Sequence, residues 1–127
     1  MKARYIFVLP HALSVACTQE IDAPSSVKLT TPTTPQSIER TARIDVAIVD
    51  STPDGAHGGW SCVQDRLPEI VIESASCSPD CKTEIVARMV LVTTPSAGRK
   101  YVRIHYREER VDDDTAGDLD AVVDFVP

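Results

Sequence analysis

Aromatic residues are scarce in this chain, 5% of 127 residues, with one tryptophan, three tyrosines and two phenylalanines. A core built on stacked rings is thereby excluded. Valine and isoleucine are abundant instead, and β-branched residues suit half-buried pleated strands. No segment repeats its apolar residues every 3.6 positions, so helices are not expected. No apolar run reaches the ~20 residues that a membrane-spanning helix needs. Basic residues are outnumbered, thirteen Lys and Arg against nineteen Asp and Glu, for a net charge of −6. A nucleic-acid groove wants a basic stripe and an anionic membrane wants a polybasic segment, so neither is an expected partner. Gly-x-Ser-x-Gly elbows are missing. Gly55-Ala56-His57-Gly58-Gly59 is not a phosphate loop, because no Lys-Ser/Thr pair follows it. No Cys-x-x-Cys pair offers half of a zinc site, and neither a metal nor another cofactor is expected. The chain has the length of one domain with one hydrophobic core.

Met1–Cys17, MKARYIFVLPHALSVAC, has the plan of an export signal: Lys2 and Arg4, then an apolar stretch, then the small residue Ala16. Leu13-Ser14-Val15-Ala16-Cys17 resembles the lipobox of a bacterial lipoprotein precursor, with Ser14 at the position where that pattern usually has leucine. The resemblance implies cleavage before Cys17, lipid attachment at Cys17, and a protein exported to the bacterial cell envelope that meets the membrane through its lipid anchor only. The same residues also fit an ordinary signal peptide or a buried N-terminal strand. Residues 17–41 are polar and rich in Pro, Ser and Thr, a composition that buries too little to offset its ordering entropy. They are expected to form a flexible tether between a signal peptide over 1–16 and a folded domain over 42–127, with Val27-Lys28-Leu29 as a short edge strand at most.

From Ala42 onward the pattern is strands separated by turns. Ile44, Val46 and Ile48 fall at alternate positions on one face, as do Ile70 and Ile72, then Val102, Ile104 and Tyr106, then Leu119, Ala121, Val123 and Phe125. Glu84–Thr93 reads as one strand, apolar on both faces. About seven strands in a domain of this size predict an all-β, two-layer sandwich. The segment Pro95-Ser96-Ala97-Gly98-Arg99-Lys100-Tyr101-Val102-Arg103-Ile104 resembles the turn and strand of fibronectin type III and related immunoglobulin-like domains. That resemblance implies an immunoglobulin-like sandwich in which Tyr101 bonds back to the preceding corner.

Four cysteines are present. Cys77 and Cys81 bracket a three-residue turn and are the expected disulfide; pairing of Cys62 with either is the competing arrangement. A zinc site from Cys62, Cys77, Cys81 and His57 or His105 fits poorly in an exported chain. The acidic stretch Asp112 to Asp120 begins like a calcium loop and then departs from it, with Ala116 where a ligand belongs and Val123 where the bidentate glutamate belongs. Cross-strand charge pairing explains the same residues if Tyr106 faces Leu119, Ile104 faces Ala121 and Val102 faces Val123, a register that puts Arg107 opposite Asp118 and His105 opposite Asp120. The doubly apolar run Glu84–Thr93 either is covered within the chain or meets a protein partner. These features together predict a non-catalytic, envelope-anchored binding or scaffold module. A calcium-stabilised adhesion-type domain is one alternative, and a small enzyme built on His57 and Cys62 is another.

Overall fold

The computed structural model describes residues 19–52 and 63–127. Strand follows strand through them, and no helix occurs among the described residues. In order the strands are β1 (Gln19–Asp22), β2 (Ser25–Thr30), β3 (Gln36–Ser37), β4 (Ala42–Asp50), β5 (Val63–Arg66), β6 (Glu69–Ser78), β7 (Lys82–Val86), β8 (Met89–Thr93), β9 (Gly98–Glu109) and β10 (Thr115–Val126). Two four-stranded sheets carry the fold, one in the order β2-β4-β8-β7 and the other β3-β10-β9-β6; β1 and β5 pair separately. The expected all-β sandwich is present, with about ten strands rather than seven.

The extra strands lie largely where a tether was expected. β2 runs antiparallel along β4, from Ser25–Asp50 to Thr30–Asp45, and β3 runs parallel to the end of β10. Val27, Leu29 and Ile38 pack against the core. Composition undervalued this stretch because a sheet edge needs few apolar side chains when a neighbouring strand supplies the ladder bonds. β1 is held in turn by Asp22, whose carboxylate accepts from the backbone N–H of Val111 at 2.7 Å and of Asp112 at 3.3 Å.

Period-two alternation places the core. Ala42, Ile44 and Val46 of β4 and Val90 and Val92 of β8 face Ile70 and Ile72 of β6, Val102 and Ile104 of β9, and Ala121, Val123 and Phe125 of β10. β6 changes parity along its length. A bulge between Ile72 and Ser74 leaves Glu73 unpaired in the ladder, so the inward residues are Ile70 and Ile72 before it and Ala75 and Cys77 after it.

The run Glu84–Thr93 is not one strand. It folds back on itself at Ala87-Arg88, and Val86 pairs with Met89. Ala87 takes a φ of +52°, the sign that primed hairpin turns require at their first central residue. No Gly or Asn marks this turn, which is why the run reads as continuous. Its doubly apolar pattern comes from two short strands, with Val90 and Val92 buried on β8.

β9 and β10 pair from Glu108–Thr115 to Gly98–Phe125. Ile104 meets Leu119 and Val102 meets Ala121, two residues away from the expected register. A two-residue slip keeps every side chain on its own face, so alternation alone cannot detect it. The observed register opposes Tyr106 to Gly117, where a Cβ would lie 2.6 Å from the tyrosine hydroxyl oxygen. Glycine at 117 leaves the ring its place.

One pole of the sandwich is tied by polar side chains. Lys100 is 2% exposed, and its Nζ donates to the Pro79 carbonyl and to Ser96 Oγ, each at 2.9 Å. The buried Thr94 hydroxyl lies 2.7 Å from the Asp80 carbonyl oxygen and accepts from the Ser96 N–H. Two connections, β6–β7 and β8–β9, are thus bound to each other. The corner role expected of Tyr101 falls to its neighbour: Tyr101 points outward and is 57% exposed. Parity explains the exchange, since Lys100 shares a face with Val102 and Ile104. Cys77 and Cys81 form the expected disulfide across this pole, with Cα atoms 5.8 Å apart, which excludes the competing pairing of either with Cys62. Cys62 itself, like Cys17, His57 and Trp60, lies outside the described residues.

Three substitutions test these contacts. Lys100→Met keeps the apolar stem and removes the donors, so it should cost about 1–3 kcal/mol in urea unfolding, and Lys100→Ala should cost more because it also leaves a cavity. Ala87→Gly should raise stability by roughly 0.5–1 kcal/mol, because relief of the left-handed backbone outweighs the added unfolded-state entropy.

Candidate functional site

The outward face of β6, β9 and β10 collects the polar chemistry of the domain. Its side chains alternate with the core residues just described, so their positions follow from the ladder. Arg99 opposes Asp124, Tyr101 opposes Val122, Arg103 opposes Asp120 and His105 opposes Asp118. On the other side, β6 sets Ser78 beside Tyr101, Ser76 beside Arg103 and Ser74 beside His105.

Two of these rungs are forked ion pairs. Arg99 Nε and Nη2 donate to the two oxygens of Asp124 at 2.9 and 3.3 Å. Arg103 donates to Asp120 in the same way, at 3.0 and 3.3 Å. Hydrogen bonds from the arginines, reinforced by their positive charge, hold both aspartates below the usual carboxylate range. Exposed pairs of this kind contribute little to stability. His105 Nδ1 lies 2.8 Å from Asp118, and its Nε2 lies 3.6 Å from Glu73, the residue that the bulge turns outward. Arg107 extends the network to Asp114 at 3.2 Å and to Glu73 at 3.5 Å. Burial, with Glu108 and Asp118 adding to it, pushes the Tyr106 phenol up.

Between the two forked rungs sits an apolar one. Tyr101 and Val122, 57% and 42% exposed, stand side by side. The small side chains of Ser76 and Ser78 leave an open depression next to them, about 660 Å³, bordered also by Arg103 and Asp120.

The face offers cross-strand polar pairs beside an exposed apolar rung. Ser74, His105 and Asp118 lie in line across three strands, the order of a hydrolytic triad, but the free nitrogen of His105 is turned to Glu73. The acidic residues from Asp112 to Asp124 are divided among separate partners. Asp114 accepts from the Arg110 N–H and from Arg107, while Asp118, Asp120 and Asp124 hold His105, Arg103 and Arg99. Arg107, expected opposite Asp118, instead meets Asp114, and His105 takes Asp118 in place of Asp120, both consequences of the two-residue register. No group of three or more His, Cys, Asp or Glu among the described residues is arranged to hold a metal ion.

The segment singled out for a partner, Glu84–Thr93, lies on β7 and β8, where Val86 pairs with Met89 and Val90 and Val92 are buried. Its exposed large residues, Ile85 and Val86 at 39% and 38%, are consecutive on the edge strand β7 and point to opposite faces. The Tyr101–Val122 rung escaped sequence reading because the two residues are adjacent only through the β9–β10 register. Comparison of the chain with protein-family models, with curated proteins and with solved structures finds no match.

The forked pairs carry a pH signature. Both carboxyls are depressed on folding, so their stabilisation is present above the ordinary value of 3.8 and is lost as pH falls through it toward the lower folded-state value. Carboxyl-carbon NMR titration should give midpoints below 3.8 for Asp120 and Asp124. Arg103→Gln should raise the Asp120 midpoint and leave that of Asp124 in place.

Proposed function

We propose that this chain is a non-catalytic binding or scaffold module, exported and held at the bacterial cell envelope by lipid at Cys17. In this reading it meets a protein partner through the outer face of β6, β9 and β10. The observation that carries it is the exposed Tyr101–Val122 rung, flanked on both sides by arginine–aspartate pairs already locked in place. An aromatic anchor with an apolar neighbour and an ordered polar rim is the anatomy of an interface centre. Rigid rim pairs also lower the ordering cost of association.

The architecture is read as immunoglobulin-like. The order β2-β4-β8-β7 corresponds to strands A, B, E and D of that fold, and β6, β9 and β10 correspond to C, F and G. The core departs from antibody domains, since neither β4 nor β9 carries a cysteine and β6 carries no tryptophan. This likeness supports an architecture that serves many functions and favours none.

A photo-crosslinking residue placed at position 101 in the native envelope tests the face, with the same residue at Lys28, on the opposite sheet, as control. Adducts from position 101 and none from position 28 are expected, and equal yields would remove the assigned face. Intact mass of the membrane-fraction protein tests the anchor. The expected chain begins at acylated Cys17, and a chain beginning at unacylated Met1 would overturn the export reading.

A further inference from the structure

The two strands of the β9–β10 face carry opposite character at three successive outward rungs. β9 contributes Arg99, Tyr101 and Arg103, and β10 contributes Asp124, Val122 and Asp120 at the same heights. A two-fold axis lying along the strands, between β9 and β10 and just above the sheet, would exchange the strands and preserve the heights. Each Arg103 would then lie over an Asp120, each Arg99 over an Asp124, and each Tyr101 over a Val122. The face is therefore complementary to itself, the condition for an isologous contact. A parallel axis over β9 would instead set arginine on arginine, and one over β10 would set aspartate on aspartate.

We propose that the partner of this face is a second copy of the same chain, docked about that axis; the proposal rests on the reading of the face as a binding surface. Aligned sheets cross at about 30°, so the match is closest at the Tyr101–Val122 rung and the flanking ion pairs and fades beyond them. Four charges meet at each flanking rung, with every arginine between two aspartates. The depression beside Ser76 and Ser78 gives the tyrosine rings room to settle.

Size and direction set what kind of dimer this is. The two overlapping strands, β9 and β10, with ~4.8 Å spacing and ~3.4 Å rise, present a face of roughly 350 Å² along their ladder. That is below the ~800 Å² per partner of a standard stable interface, so the association is weak and depends on concentration. An axis along the strands also leaves both copies pointing the same way. β1, tied by Asp22 to the β9–β10 connection, then lies at the same end of each copy. Two chains anchored to one membrane surface can meet in this geometry without inversion, and confinement to that surface raises their effective concentration.

Sedimentation equilibrium of the full chain over a concentration series is the test. The wild type should associate reversibly to a dimer that weakens with added salt. R103D and D120R should each weaken association at least tenfold, because each places like charges over one another. An equimolar mixture of the two variants should recover association to within threefold of wild type, since the aspartates of one chain then meet the arginines of the other. Misfolding cannot produce that recovery. A wild type monomeric throughout, single variants that associate normally, or a mixture that does not recover would each overturn the proposal. The photo-crosslinker at position 101 separates this failure from that of the underlying reading. An adduct of twice the chain mass supports the second copy. An adduct of any other mass overturns it while the binding face stands, and no adduct removes both.

Discussion

The β9–β10 ladder, running from Glu108–Thr115 to Gly98–Phe125, sets both faces of its sheet at once. Its inward rungs bring Lys100, Val102 and Ile104 against Val123, Ala121 and Leu119, and so lay down the middle of the core. Its outward rungs align three aspartates with Arg99, Arg103 and His105 and leave Tyr101 beside Val122. Alternation makes these two outcomes inseparable, because a residue that leaves one face must join the other. A slip of two residues would keep the same core residues inside yet dissolve each of the outward pairs. The close fit of Tyr106 over Gly117 distinguishes the observed register from alternatives that bury the same side chains.

The two ends of the sandwich are closed by different chemistry. At one pole, Lys100 and Thr94 bind the β6–β7 and β8–β9 connections through backbone carbonyls, and the Cys77–Cys81 bridge closes the first of these turns. At the other, Asp22 accepts two backbone N–H groups of the β9–β10 connection and lies 3.6 Å from Arg110. In both cases a side chain reaches across the domain to satisfy backbone groups that no ladder can serve. A loop with its polar groups satisfied in this way can stay short and ordered without an apolar core of its own.

Some features were legible residue by residue. The inward sets Ile44–Val46, Val102–Ile104 and Ala121–Val123–Phe125 follow from period two, and spacing favoured the Cys77–Cys81 bridge over pairing with Cys62. Others were not. The tight turn at Ala87 carries none of the usual turn residues. Ser25–Thr30 reads as linker because its contribution is backbone pairing with β4 more than side-chain burial. Lys100 looks like a surface residue until parity and the neighbouring carbonyls are known together. The candidate face was hidden for a related reason: Tyr101 and Val122 are twenty-one positions apart, and only the ladder makes them neighbours.

By itself, then, the sequence determined a chain of alternating strands with an aliphatic core, because alternation is a local property. Only the tertiary structure decided which strands pair, in what register, and which face presents an aromatic anchor between ordered charges. Those choices depend on contacts between residues distant in the chain, where several arrangements satisfy the same local pattern and the fit of particular side chains, such as Tyr106 over Gly117 and Asp22 beneath Val111, selects among them.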